Sequence, residues 1–485
     1  MNPSPDFSAL QPALVWAHFA TLCSIPRPSK GEARLREHLK AWAQGRGLAT
    51  SVDAIGNLLV RKPASAGHES APGVVLQSHL DMVCQSNADT AHDFLKDPIA
   101  AVVRDGWVTA DGTTLGADNG IGVALALAIL EDGHLVHGPI EALFTVDEES
   151  GMGGARGLAA DVLQGSLMLN LDTEEWGQFY LGCAGGVNVS AQRSGRPQAL
   201  PADGLSVRID VRGLRGGHSG VNIHEGRGNA IKLLVRAVLE LDRRWGVQLS
   251  SLKGGSARNA LPREAFATLV LPLQAATDLD RVLGGLQAEF RAELAGVDDG
   301  VAISCTPSAI DSVMAASDQS IWLTTLHAAP HGVRRMSVQV PEVVETSNNL
   351  GVVDLSPQSG ECHFMVRSLV DSAGLALVEE IVSLFALSGT VATPSGHYPG
   401  WKPNPDSPLL ALCQSVFRAS FGSDSTVQVI HAGLECGLIG GKYPELDMVS
   451  FGPTIHGAHA PGEAVQVESV ERCWELLKAI LAALV

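Results

Sequence analysis

The sequence predicts an α/β protein, a central mixed sheet flanked by helices, with a second α+β unit inserted into it. Three observations predict this. Short apolar runs of strand length alternate with helical patterns in the first part of the chain. The same alternation returns near the end, and the stretch between has strands in which polar and apolar residues alternate.

Two helical patterns open the chain, residues 9–23 and 30–45, and Leu58-Leu59-Val60 makes a short strand. Val74-Val75-Leu76-Gln77 is an apolar run of the kind buried in a parallel sheet, and it delivers His79 and Asp81. Asn119-Gly120 opens a helix that runs to about residue 130, with Asp118 just before it. Residues 140–146 form the next strand and lead directly into Asp147-Glu148-Glu149, and residues 167–171 form another that ends at Asp172. The middle reads as strands at 205–211 and 265–271 and helices at 228–241 and 279–294. A helix at 319–327, a strand at 361–366 and a helix at 373–387 follow. Residues 447–451 again read as a strand, broken by Gly452-Pro453 before His456 and His459, and residues 472–484 make a closing amphipathic helix. The expected division is 1–186 and 394–485 for the first domain and 187–393 for the insert. In open α/β sheets ligands bind beyond the carboxyl ends of the strands, which is where these acids and histidines stand.

A chain of 485 residues is too long for one compact core. Acids outnumber Lys plus Arg by 52 to 34, giving a net charge of −18, which argues against nucleic acid or an anionic membrane as partner. The first basic residue is Arg27, so the basic start of a secretory signal is missing. The longest apolar run, residues 121–130, falls short of the roughly 18 residues that span a bilayer. Eight cysteines are scattered without a C-x-x-C pair, which suits reduced thiols in the cytoplasm better than a disulfide framework.

His79, Asp118, Glu149, Asp172 and His459 supply two imidazoles and three carboxylates. A pair of zinc-like ions takes about four such ligands each, and a shared carboxylate can bridge ions about 3.5–4 Å apart. Two divalent cations, three carboxylates and one hydroxide sum to zero charge. Asp81, two residues beyond His79, is placed to fix that ring's tautomer. Glu148 is left free as a base. Each feature alone is an ordinary turn, cap or solvated acid; their common position at strand ends sets them apart. The glycines of residues 215–220 match no nucleotide-binding pattern. Cys84 near His79 raises a thiol enzyme as a rival, but a histidine committed to metal is no base for a thiol, and Cys84 reads better as a small buried side chain.

The runs HLDMVCQ from His79, GADNGIG from Gly116, DEESGMGGA from Asp147, LNLDTEE from Leu169 and GCAGG from Gly182 resemble those of a known family. So do RGGHSG from Arg215, RNALPRE from Arg258, HAGLECG from His431 and GPTIHGAHAPGE from Gly452. The family is the dinuclear zinc peptidases, which include glutamate carboxypeptidase, aminoacylase and the bacterial di- and tripeptidases, and the resemblance covers nearly the whole chain. It implies that His79 and Asp172 hold one ion and Glu149 and His459 the other, with Asp118 between them. Asp81 would orient His79, and Glu148 would be the general base. His456 rivals His459 for the last ligand; His459 keeps the family's spacing to Glu463. His218 would donate to the oxyanion of the tetrahedral intermediate, Asn259 and Arg367 would hold the substrate's backbone and C-terminal carboxylate, and Gly433 and Glu435 would belong to a loop over the pocket. The cofactors implied are two divalent ions per chain, zinc first, with cobalt or manganese also compatible with the ligand set. The implied reaction is hydrolysis of unblocked dipeptides, Xaa-His included, by a cytoplasmic homodimer whose inserted domain acts as a lid. The alternatives are an N-acyl-amino-acid amidohydrolase and a metal-binding protein without catalysis.

Overall fold

The computed structural model describes residues 6–87, 89–338 and 340–485. The chain divides into two compact units, one of residues 1–182, 403–429 and 434–485, the other of residues 183–402 and 430–433. The breaks expected at 186/187 and 393/394 shift because Gly185–Ser194 is a strand of the second unit, hydrogen bonded to Ser359–Ser368 on one side and Val391–Tyr398 on the other. Pro394, read from sequence as part of a linker, lies inside Val391–Tyr398. That strand ends the sheet order, and an edge strand is where a residue without an N–H is tolerated.

The first unit is built on a mixed eight-stranded sheet. In spatial order its strands are Ala49–Val52, Leu58–Lys62, Ile140–Thr145, Val74–His79, Leu167–Asn170, Asp447–Ser450, Gln178–Cys183 and Thr426–Ile430. Its centre is parallel: Val74–His79 runs beside both Ile140–Thr145 and Leu167–Asn170, and Leu167–Asn170 beside Asp447–Ser450. Val74–His79 and Ile140–Thr145 are buried at every position, which explains their unbroken apolar sequences. The helix Ala117–Glu131 is apolar almost all round and buried from Asn119 to Leu130. Its neighbour Ala13–Ser24 is a second helix with a mostly buried apolar face. A small four-stranded sheet joins Ile455–His456 and Ala464–Gln466 to Trp107–Ala110 and Ala101–Arg104. Among the described residues no helix is long and apolar enough to cross a membrane.

The second unit is a nine-stranded antiparallel sheet with the helices Ala230–Trp245, Leu279–Glu293, Ala316–Ala328 and Asp371–Leu387. Val207, Ile209 and Val211 alternate inward and pack with Leu234, Val238 and Leu241 of the first of these helices in one apolar core. All eight cysteines are free thiols.

Candidate active site

Three neighbouring parallel strands end together in the first unit. The register pairs His79 with Thr145 and Gln77 with Asn170, so His79, the Asp147-Glu148-Glu149 turn and Asp172 emerge side by side. Asp118 arrives from the start of the helix Ala117–Glu131, and His459 from the loop between Ile455–His456 and Ala464–Gln466. His79 Nε2 lies 3.1 Å from Asp118 Oδ1 and 3.3 Å from Asp172 Oδ1. His459 Nε2 lies 3.0 Å from Asp118 Oδ2 and 3.1 Å from Glu149 Oε1. Three donor sets result, His79–Asp118–Asp172, Asp118–Glu149–His459 and His79–Glu148–Glu149, each with its atoms within 4.8 Å of one another; the first two form a pair that shares Asp118. Ligand atoms at ~2.0–2.2 Å from a tetrahedral ion stand roughly 3.3–3.6 Å apart. This donor set, imidazole and carboxylate around a doubly used aspartate, fits a pair of divalent ions. His456 is exposed and packs against Trp107, with ring centroids 4.7 Å apart.

Protons supply the positive charge in the metal-free chain. Burial opposes a charged His79, but Asp172, Asp118 and Asp81 outweigh it and lift the ring well above its ordinary range. Hydrogen bonds to Asp118 and Glu149 raise His459 to about 11. Against burial, the same two imidazoles hold Asp118 below the usual carboxylate range. Glu148 moves the other way: burial, with repulsion from Asp172, Glu435 and Glu149, pushes its carboxyl well up despite the pull of His79. A carboxylate made basic by its surroundings is suited to proton transfer near neutral pH.

Asp81 is wholly buried. Its Oδ1 stands 3.5 Å from His79 Nδ1 and accepts the Glu148 N–H at 3.0 Å, while Oδ2 accepts the Glu149 N–H at 3.1 Å and the Ser29 hydroxyl at 2.7 Å. One carboxylate therefore fixes the turn that carries Glu148 and Glu149 and stands beside the His79 ring. Against burial, bonds from His79, the Glu148 N–H and Ser29 hold its carboxyl down at about 2.

Glu435, expected in a loop over substrate, lies elsewhere. It is fully enclosed in the first unit, and its Oε2 accepts from Gln77 Nε2 at 2.6 Å and Thr145 Oγ1 at 2.5 Å. Gln77 in turn accepts from Asn170, which accepts from Ser450. The row crosses four adjacent strands, and Gln77 and Asn170 each stand two residues before a member of the donor sets. The bonds from Gln77 and Thr145 both fall on Oε2, so the buried carboxylate supports the strands rather than standing in a surface loop.

His218, Asn259, Arg367 and Gly433 belong to the second unit. Arg367 is buried; its Nη1 donates to Tyr398 Oη at 3.1 Å, and its Nη2 stands 3.3 Å from His218 Nε2. His218 Nδ1 accepts the N–H groups of Val221 at 3.1 Å and Gly220 at 3.3 Å. With Nδ1 accepting, the ring proton falls on Nε2, the nitrogen beside the Arg367 guanidinium. Asn259 has an exposed side chain, and its carbonyl accepts the Ser219 N–H at 2.8 Å. His431 is buried, with Nε2 2.8 Å from Ser347 Oγ. Burial, with Arg367 and His218 adding repulsion, lowers it to about 3 and keeps it neutral.

Residues 75–483 match the model of peptidase family M20/M25/M40. The chain belongs to that family. The cytosol non-specific dipeptidase of Escherichia coli (strain K12) is 44% identical over 98% of both chains. A crystal structure of aminoacylhistidine dipeptidase from Vibrio alginolyticus superposes with a TM-score of 0.88 at 43% identity, over 99% of this chain and 98% of that one. Aminopeptidase PepT from Bacillus cereus shares the fold at a TM-score of 0.57 and 16% identity, over 98% of this chain and 99% of that one.

Sequence reasoning about this M20 peptidase passed over His431, although the HAGLECG run contains it. Arg27 carried no motif. Glu463 entered only as a spacing mark, although its carboxylate accepts three backbone N–H groups beside Asp118.

Proposed function

We propose that this chain is a metallodipeptidase that hydrolyses unblocked dipeptides, Xaa-His among them. The observation that carries the reading is the pair of donor sets that share Asp118; Glu148, which groups instead with His79 and Glu149, stands beside them as the base. His79, Asp118 and Asp172 would hold one divalent ion and Asp118, Glu149 and His459 the other. Zinc is the first candidate for an imidazole and carboxylate set, with cobalt and manganese next. Bound there, the ions would supply Lewis acidity and a water made acidic enough to react at neutral pH.

The chain's own groups do the rest. Glu148 takes a proton from the attacking water as its oxygen bonds to the peptide carbon. The same carboxyl returns that proton to the amide nitrogen as the C–N bond breaks, releasing two amino acids. Asp81 keeps His79 in one tautomer and holds the Glu148 turn in place. His218 Nε2–H and the Arg367 guanidinium offer the donors for substrate oxygens, the developing oxyanion and the C-terminal carboxylate; Asn259 and the Gly433 backbone would add contacts along the peptide. The dipeptide specificity is supported by the names of the Escherichia coli and Vibrio alginolyticus relatives. A cytoplasmic homodimer with the second unit as a lid completes the reading.

The test is hydrolysis of Ala-His and of N-acetyl-histidine by purified protein, with chelator and zinc add-back, beside Glu148→Ala. Chelator-sensitive cleavage of Ala-His alone, lost by at least about a hundredfold in a variant that still binds two ions, is the expected result. Cleavage of the acetylated compound alone would make the enzyme an amidohydrolase. Cleavage that survives chelator and stops on thiol alkylation would move the chemistry to cysteine; burial, which pushes the Cys84 thiol up to about 11, weighs against this.

A further inference from the structure

We propose that Arg27 and Glu463 form a clamp on the loop of residues 115–118 and act as positioning residues for Asp118, the carboxylate that the paired donor sets share. The proposal rests on the two-ion reading above.

Arg27 is 2% exposed. Its Nη1 donates to the carbonyls of Leu80 at 2.9 Å and Asp81 at 2.8 Å, and its Nη2 donates to the Gly116 carbonyl. Glu463 is equally buried at 2%. Its Oε2 accepts the N–H groups of Leu115 at 2.8 Å and Gly116 at 2.9 Å, and its Oε1 accepts the Asp118 N–H at 3.1 Å. The Gly116 peptide groups are thus held by a cation on the carbonyl side and an anion on the amide side. The same guanidinium fastens the backbone just beyond His79, so one side chain ties together the two loops that bring His79 and Asp118 to within 3.1 Å.

The surrounding chain makes room for this arrangement. Gly116 has a φ of +71°, and a Cβ there would stand 2.5 Å from Arg27 Nη2 and 2.8 Å from Met82 Sδ. A Cβ on Gly120 would stand 2.7 Å from Nη2. Two glycines of the Gly-Ala-Asp-Asn-Gly run are therefore the slot for the guanidinium. Among the described residues no ion pair to Arg27 forms; the donors noted all go to carbonyls of the two site loops. A lysine ends in a compact ammonium and lacks the planar fork whose two nitrogens reach separately to the 80–81 and 116 carbonyls.

The variants R27K and E463Q test the clamp, singly and together, in the full-length protein. Four readouts apply: ions held per chain at a buffered zinc concentration, the visible spectrum of the cobalt-loaded protein, kcat and KM for Ala-His, and amide exchange of residues 115–118 in metal-free protein. Each single variant is expected to hold its ions about tenfold to a hundredfold more weakly, to lose kcat by a similar factor with KM little changed, and to alter the cobalt spectrum. Exchange at 115–118 should rise while that of the helix interior at 121–130 does not. The double variant should be no worse than the poorer single, because both ends act on one loop. Folded variants with wild-type ion affinity, spectrum and exchange overturn the proposal, as does a loss that only follows a lowered melting temperature. If R27K does not fold, E463Q carries the test. If the wild type itself holds fewer than two ions or cleaves no dipeptide, the functional reading has failed, and the exchange readout still decides the clamp.

Discussion

The two imidazoles that face carboxylates are charged in the metal-free chain, and this has a measurable consequence. A ligand to metal must be neutral imidazole, so loading has to expel the protons of His79 and His459. His459 is raised from 6.5 to about 11 by its bonds to Asp118 and Glu149. Its ion pairs therefore stabilise metal-free protein fully below about pH 6.5, and that contribution fades as pH climbs toward about 11. Metal affinity runs the opposite way and strengthens as pH rises, since fewer protons need displacing. Calorimetric loading near pH 7 in buffers of different ionisation enthalpy should report a release of roughly two protons; a heat independent of buffer would show that neither ring is protonated. Of the candidate ligands, His79, Glu149 and Asp172 were legible because each follows an apolar strand run, Asp118 because it stands just before a helix, and His459 because it follows the break at Gly452-Pro453. Arg27, Glu435 and Glu463 were not, because nothing local marks them: Arg27 reaches Gly116 across 89 residues, Glu463 reaches the same residue across 347, and Gln77 meets Glu435 across 358. Their meaning exists only once the sheet has brought distant segments together.

Among elements, the ones legible in sequence were those whose periodicity matches their burial. Ala265–Leu271 alternates between core and partial exposure, and Ile140–Thr145 is buried throughout. Val344–Leu355 escaped notice because it is buried on both faces yet carries Asn348 and Asn349, whose amides donate to the carbonyl of Pro330 at 2.7 Å and to those of Arg258 and Ala260 at 2.8 Å, respectively. Polar residues whose amide N–H groups go to backbone carbonyls look like a loop until the partners are known. Two glycines give opposite predictions on the same grounds. A Cβ on Gly452 would sit 1.8 Å from the Thr173 carbonyl, a backbone atom that cannot swing aside. Gly452→Ala should cost about 1–3 kcal/mol in urea unfolding and lower kcat, because the strain falls next to Asp172. Gly284 lies inside the helix Leu279–Glu293 with open space where its Cβ would be. Gly284→Ala should add about 0.5–1 kcal/mol and leave kcat alone. A neutral Gly452→Ala would mean that the 451–453 turn does not lie against Thr173.

At the scale of the whole molecule, every residue of the donor sets belongs to the unit formed by residues 1–182, 403–429 and 434–485. The other unit supplies none, although it carries His218 and Arg367. An ion that binds only the folded state stabilises by RT ln(1 + [L]/Kd), about 2.7 kcal/mol when free metal is a hundred times Kd. That gain must appear first where the ligands are. Loading should slow amide exchange along Val74–His79, Ile140–Thr145 and Leu167–Asn170, the strands that end at the site. Exchange in Leu205–Arg212 and Ala265–Leu271, strands of the other unit, should change little. The melting temperature should rise with zinc concentration and return to its starting value in chelator. Equal slowing in both sets of strands would mean that the molecule opens as one cooperative body. No slowing at the three site strands would remove the basis for placing the ions there.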